Sequence, residues 1–421
     1  MKACAACNRL FADEGGYCPV DGQRLAPVAG ARIPADPGDK RVGTTLCGGR
    51  YQIWRIVADG GTGRVYQALD LRADRGVALK ILHADVAHDD VSLERFRREF
   101  ELSAALPHDH IVEVLAFEQT EDKSFALVME YLEGEELRTL LKREKVMPPE
   151  RVIRMLAQLA MGLAEAHERM VVHRDLKPDN IFLVGTREGD LVKILDFGSV
   201  RDNSEGAKKL TVVGTTIGSP YYMAPEQAQG LPSLDHRADV WSLAAIVYEC
   251  LTGKVPFAGS TGPSILLAIL TDEPAPPSVA GKGHGVPRTL DTVMEAALAK
   301  SADARIPTVA ALADRVGQAY GLEGTHTDWA RVPQQELAAR IARNLPAAIT
   351  RHDEAAAVRG ELPAGKALSD EPFRAGSEGG PSTFTEDVVM GVPQGSPRWL
   401  IPAVAGAAVL VGVLVAVLAA R

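Results

Sequence analysis

HRDLKPDN at residues 173–180, followed by ILDFGS at 194–199, is the stretch from which this 421-residue chain is best read. Upstream, YQIWRIVA (51–58), RVYQALD (64–70) and GVALKIL (76–82) have the length and residue types of strands. SLERFRREFELSAAL (92–106) has the period of a helix, and FALVMEY (125–131) returns to strand. From about Gly134 onward the pattern is helical, as in ERVIRMLAQLAMGLAEAHE (150–168) and DVWSLAAIVYECLTG (239–253), with short motif-bearing loops between. The chain therefore predicts an α+β domain of two lobes, a small β-rich one with one helix and a larger α-helical one.

Composition narrows the partners. Lys and Arg number 46 and Asp and Glu 55, a net charge of −9, and the basic residues form no long run that would grip a phosphate backbone. No nucleic-acid partner is expected. Five cysteines are too few for a disulfide framework, and Cys4, Cys7 and Cys18 crowd into the N-terminus at metal-ligand-like spacing, so a reducing compartment is expected.

The ends differ. No apolar segment follows a basic start, so nothing at the N-terminus reads as a secretory signal. Leu400 to Ala420 is 21 residues without a charge, and as a helix would be about 31 Å long against a hydrocarbon core of about 30 Å. Arg398 and Trp399 precede it as a basic residue and an interfacial aromatic would on the cytoplasmic side. The expectation is a C-terminal anchor in the inner membrane with the large domain in the cytoplasm and no outer sensor. A buried Ala/Val-rich core helix is the alternative, although Pro402, Gly406 and Gly412 weaken an isolated helix in water. The predicted organisation is a Cys-containing element (1–27), a Gly/Pro-rich linker (28–47), the two-lobed domain (48–320), a largely disordered juxtamembrane linker (321–398) and a transmembrane helix (399–420). Within that linker a short helix around Leu337, Ile341 and Leu345 is a weak signal.

VADGGTGRVY (57–66) sets glycines between two predicted strands, where missing side chains let backbone amides approach phosphate oxygens. A plain hairpin turn would read the same way, and Lys80 in VALK on the next strand could be merely solvated. The strings at 173–180 and 194–199 remove that ambiguity, because both resemble the signature set of the protein kinases. With SPYYMAPEQ (219–227), DVWSL (239–243) and Arg305, the resemblance runs from residue 48 to about 318, and the family is the eukaryotic-like (Hanks-type) serine/threonine kinases of bacteria.

That resemblance implies a nucleotide between the lobes and assigns roles residue by residue. Asp175 looks like the base that accepts or orients the substrate hydroxyl proton, and Lys177 like the cation on the transferring phosphoryl group. Asn180 and Asp196 resemble the ligands of magnesium, or manganese, whose hard character suits oxygen. Lys80 would pair the α- and β-phosphates of ATP. Glu99 is its expected partner, because it shares a helical face with Phe96 and Ser103, whereas Glu94 and Glu101 are less well placed. Val57, Ala58, Gly60, Gly61, Gly63, Val65 and Ala78 would surround phosphates and base. Met129 resembles the gatekeeper, and the backbone of Glu130 to Leu132 would hydrogen-bond adenine. Glu136 is left between a ribose hydroxyl, a basic substrate residue and a solvated helix start. Glu226 and Arg305 resemble a structural ion pair beneath the activation segment. Arg174 before Asp175 implies activation by loop phosphorylation, with Thr211, Thr215 and Thr216 as candidates and Thr211 preferred. A dimer could serve autophosphorylation in trans.

Four features stand apart. Ala58 replaces the family's usual glycine, and its methyl is expected to restrict the turn and weaken nucleotide binding; Ile306 replaces a common proline without chemical consequence. CAACNRLFADEGGYCPVDG resembles the zinc-ribbon elements before some such kinases, with Cys4, Cys7 and Cys18 as thiolates and Asp21 as a less typical fourth ligand, or a site completed by Cys47 or a histidine. Cys250, in an apolar helical run, reads as core. The competing reading is a pseudokinase scaffold, whose signature, loss of Lys80, Asp175 or Asp196, is absent. A third makes the two ends the main function and the central domain a membrane-docked adaptor.

Overall fold

The computed structural model describes residues 2–4, 10–11, 16–18, 22–27, 38–83, 89–197 and 220–358. Cys7, Asp21, Thr211, Thr215, Thr216 and the whole segment from 359, with its predicted span, lie outside the described residues. Strands β1 (Lys2–Ala3), β2 (Leu10–Phe11) and β3 (Ala26–Pro27) make a small antiparallel sheet in the order β2-β1-β3.

A six-stranded antiparallel sheet forms the first lobe, from β4 (Thr45–Leu46), β5 (Tyr51–Asp59), β6 (Gly63–Asp70), β7 (Arg75–Leu82), β8 (Val114–Gln119) and β9 (Phe125–Glu130), in the order β4-β5-β6-β7-β9-β8. Alternate residues of a strand point to opposite faces. Val77, Leu79 and Ile81 thus enter one core with Tyr51, Ile53, Tyr66, Ala68, Ala126 and Val128, each large side chain contributing about 1.5–3 kcal/mol by leaving water. Val65, Ala78 and Lys80 are left on the other face. Helix α1 (Asp90–Ala104) starts where the Asp89 carboxylate accepts from the Ser92 amide at 3.0 Å, and it lays Phe96 against Leu82 and Leu127.

The second lobe is helical. After β10 (Glu135–Glu136) come α2 (Leu137–Glu144), α3 (Pro149–Glu168), the hairpin β11 (Ile181–Thr186) and β12 (Gly189–Ile194), α4 (Pro225–Ala228), α5 (Arg237–Thr252), α6 (Gly262–Thr271), α7 (Pro277–Ala280), α8 (Asp291–Ala297) and α9 (Val309–Ala319). Every residue of α5 from Ala238 to Tyr248 is buried, as expected of a helix apolar on almost every face, with Asp239 and Ser242 as the exceptions in that stretch, that forms the centre of its lobe. Leu156, Leu159 and Leu163 of α3 meet it in one continuous core, which also contains Cys250. Small β-rich and larger α-helical lobes therefore match the expected architecture.

Two expected boundaries are corrected. Residues 38–47 belong to the first lobe: Val42 and Leu46 join its core, and the Tyr66 hydroxyl donates to Asp39 at 2.6 Å. Glycines and prolines around them read as a linker because the partners are distant in sequence. Nor is the chain disordered from 321: α10 (His326–Trp329) and α11 (Gln334–Val358) follow. Trp329, Leu337 and Ile341 complete the second core. Low aromatic content suggested disorder, but the few apolar residues present fall on one face and find a wall to pack against.

Candidate active site

Lys80 stands on the cleft face of β7, paired in register with Val65 of β6. Its ammonium lies 2.9 Å from Glu99 Oε1 and 3.1 Å from Asp196 Oδ1. Glu99 is buried on α1, whereas Glu94 and Glu101 are exposed. Burial works against the Lys80 charge, but Asp196 and Glu99 outweigh it and hold the lysine above its ordinary value. Asp196 is only partly enclosed, its side chain open on the cleft side; the protein around it still disfavours the charge, and the Lys80 ammonium overcomes that, keeping the carboxyl below its ordinary range. Glu99 is pulled the other way, since burial favours its neutral form and Lys80 only partly opposes that. The short contact to a charged ammonium favours the ion pair at neutral pH.

Asp175, Lys177 and Asn180 converge on the loop before β11. The Lys177 ammonium donates to Asp175 Oδ2 at 2.7 Å, and the Asn180 amide donates to the Asp175 carbonyl at 2.8 Å. The two motif strings are stitched together: the Leu195 amide donates to the Asn180 carbonyl at 2.9 Å, and the His173 ring lies 4.9 Å from that of buried Phe197. Arg174 and Asp196 adopt positive φ of 66° and 53°, a left-handed conformation that costs a residue with a Cβ about 1–3 kcal/mol and concentrates at functional sites. Fully buried Asp239 of α5 holds this loop, accepting from the amides of His173 and Arg174 at 2.9 Å each and lying 2.7 Å from His167 Nε2.

Gly60 and Gly61 form the turn between β5 and β6, closed by a 3.1 Å bond from the Gly60 amide to the Gly63 carbonyl. A Cβ at Gly63 would stand 2.4 Å from the Ile81 carbonyl, so only glycine fits beneath β7. Ala58 is not in the turn. It sits in β5 opposite Val65, where extended backbone accepts a methyl, and the expected restriction of the turn is not found. Val57 is exposed near the end of β5. Ala78 pairs with Met129 across β7 and β9, and Met129 packs toward Phe96 and Leu127. Glu130 commits its amide to the Glu113 carbonyl at 2.9 Å and its carboxylate to Lys193 at 2.6 Å. Glu136 begins α2, its carboxyl raised by burial and then by Asp179.

Glu226 and Arg305 meet in a two-pronged ion pair at 2.8 and 3.0 Å, with the arginine also donating to the Arg237 carbonyl at 2.7 Å. Cys4 and Cys18 are buried side by side with Leu25, while Cys47 and Cys250 lie in the two main cores or against them. Among the described residues no group of three or more metal-ligating side chains converges. Sequence reading passed over Asp239 and Lys193; the first stands in the quoted DVWSL, but only the fold reveals that it caps the loop before Asp175.

The protein kinase domain family matches residues 51–313. Serine/threonine-protein kinase pkn3 of Myxococcus xanthus is 36% identical over 266 residues, 62% of this chain and 48% of that protein. Serine/threonine-protein kinase PknB of Mycobacterium tuberculosis is 39% identical over 264 residues, 62% of this chain and 41% of its own length. The chain thus spans less than half of these curated relatives. The PknI kinase domain of M. tuberculosis superimposes with a TM-score of 0.52 at 27% identity, covering 66% of this chain and 98% of the other. With its two lobes, its Lys80 bridge and its Asp175 loop in the family's arrangement, the chain belongs to the protein kinase domain family and carries a bacterial-type serine/threonine kinase domain.

Proposed function

We propose that the chain transfers the γ-phosphoryl group of ATP to serine and threonine hydroxyls of proteins, and that it phosphorylates its own activation segment. The observation that carries this reading is the Lys80 bridge, which joins both lobes through Glu99 and Asp196 within 3.1 Å. In this reading Lys80 holds the α- and β-phosphates and Asp175 takes the acceptor hydroxyl proton, while Lys177 shields the charge between them. Val57, Val65, Ala78 and Met129 enclose the adenine, whose hydrogen bonds go to the backbone from Glu130 to Leu132. Asn180 and Asp196 supply oxygens that suit magnesium, and the Asp196 side chain, 45% exposed, opens to the cleft. Held by these two residues, a magnesium ion would neutralise phosphate charge. Rate enhancement comes mainly from positioning and fixed charge.

The test is phosphate transfer from labelled ATP with magnesium, to the chain itself and to a generic basic protein, with Asp175→Asn and Asp196→Asn as controls. Incorporation into serine or threonine that vanishes in both controls is expected, with mass spectrometry locating the sites among Thr211, Thr215 and Thr216. Nucleotide binding without transfer would instead favour a pseudokinase scaffold.

The ends extend the proposal. Residues 399–420 anchor the chain in the inner membrane with the kinase domain cytoplasmic, on the strength of their length and lack of charge; among the described residues no helix is long and apolar enough to cross a membrane. Recovery of the full chain from washed membranes, and of a chain ending at 397 from the soluble fraction, tests it. Cys4 and Cys18, buried together, fit the thiolate half of a structural zinc site, which Cys7 and Asp21 would complete. Less than one zinc per chain after purification without chelator would remove that reading. A dimer is the form in which one copy would phosphorylate another.

A further inference from the structure

We propose that Gln67 and Arg55 are positioning residues through which the N-terminal element holds the adenine end of the nucleotide site, an inference that rests on the kinase reading of the cleft. Arg55, Gln67, Ala78 and Met129 pair in register across β5, β6, β7 and β9. Paired residues share a face. This row runs along the cleft face, one step outward from Val65 and Lys80, which are themselves paired.

Gln67 is fully buried in this row. An amide there is costly unless both its ends find partners, and an apolar side chain would fill the place without that cost. Its two ends are used in different directions. Gln67 Nε2 donates to the Leu10 carbonyl at 3.3 Å, and Gln67 Oε1 accepts from Arg55 Nε at 2.9 Å. Arg55 then donates through Nη2 to the Tyr131 hydroxyl at 2.8 Å. Tyr131 lies between Glu130 and Leu132, in the segment whose backbone meets adenine. Side-chain bonds thus run without a break from β2 to the hinge.

Apolar packing seats the N-terminal sheet at the same place. Ala3 and Leu10 form a buried cluster with Trp54 and Leu69, and Leu69 shares the strand face of Gln67 two residues away. The element therefore covers the outer end of the surface whose inner end faces the nucleotide. Holding the Tyr131 ring reduces the freedom that the hinge loses when adenine binds. Undocking the element releases one end of Gln67, then the Arg55 guanidinium, then the hinge. Because the relay touches none of Asp175, Lys177 or Lys80, its loss weakens ATP binding and leaves the transfer step alone.

The experiment measures kcat and KM for ATP with the full chain carrying Gln67→Leu, Leu10→Asp, both together, or Gln67→Glu. Gln67→Leu removes both bonds; Leu10→Asp unseats the element; Gln67→Glu keeps the acceptor for Arg55 but sets a carboxylate against the Leu10 carbonyl. Each single change should raise KM by about twofold to tenfold, the range that one lost hydrogen bond spans, with kcat within about twofold of the parent. The double variant should be no worse than the weaker single one, because both act through one relay. An unchanged KM in Leu10→Asp beside a raised KM in Gln67→Leu would overturn the link to the N-terminal element. A fall in kcat at constant KM would overturn the positioning role altogether. Should Gln67→Leu fail to fold, Leu10→Asp and Gln67→Glu test the relay by the same two readouts. A parent chain that transfers no phosphate counts against the kinase reading, whereas an active parent with unmoved KM in every variant counts against the relay alone.

Discussion

Lys80 is the residue on which both lobes meet, held between a carboxylate of α1 and one that follows β12. Removing it does two separable things. Lys80→Met withdraws the cation that would sit on the phosphates, an electrostatic loss worth about 100-fold or more in kcat. It also strands Glu99, buried without a partner, so that this carboxyl protonates or the fold loses stability. The double variant Lys80→Met/Glu99→Gln should regain much of the thermal midpoint lost in Lys80→Met and none of the activity, since the neutral amide tolerates burial but supplies no charge. Recovery of transfer in the double variant would show that Lys80 serves the fold rather than the phosphates. The choice of Glu99 over Glu94 and Glu101 could be made in advance from helical spacing alone, because one face of a helix is a local property. The bridge to Asp196 could not, since 116 residues separate that pair.

At the scale of elements, α10 and α11 extend the helical lobe beyond residue 313, where the family match ends. Trp329 is fully buried against Gly317, where a Cβ would stand 2.0 Å from the indole, and its ring nitrogen donates to the Glu323 carbonyl at 2.9 Å. Arg154 of α3 reaches the same segment, donating to the Val332 carbonyl at 3.1 Å. Trp329→Ala should cost about 3–5 kcal/mol in chemical denaturation, and Gly317→Ala about 1–3 kcal/mol by overpacking. A cost near zero for Trp329→Ala would mean that α10 and α11 only lie on the lobe. Residues 321–358 looked like linker because their apolar residues are sparse. Leu337 and Ile341 stand one turn apart, and that spacing becomes a helix only when α3 offers a surface to bury it.

For the molecule as a whole, Asp239 ties the loop that carries Asp175 to the centre of the helical core. Burial raises its carboxyl, and the His167 contact, with the nearby His173 ring and the Arg174 amide, outweighs that to hold it below its ordinary value of 3.8. A depressed carboxylate contributes its stability in full above the unfolded value and loses it as pH falls through the folded one. Denaturation followed from neutral pH downward should therefore show a loss beginning near 3.8 that is smaller in Asp239→Asn. That variant should also be less stable at pH 7 by about 3 kcal/mol or more, since an amide cannot accept from all three groups. Equal slopes below pH 4 in the two proteins would place the acid sensitivity elsewhere. From the sequence alone came the two lobes, the motif strings around Asp175 and Asp196, the Lys80–Glu99 pair and the family. Each rests on local periodicity or on a short string whose chemistry needs those residues in that order. Only the tertiary structure decided that residues 38–47 and 321–358 belong to the folded domain, that Ala58 lies in β5 and not in the turn, and that Leu10, Gln67, Arg55 and Tyr131 form one chain of bonds. Those outcomes depend on partners brought together across the chain, and no local pattern encodes which distant surface will be there to meet them.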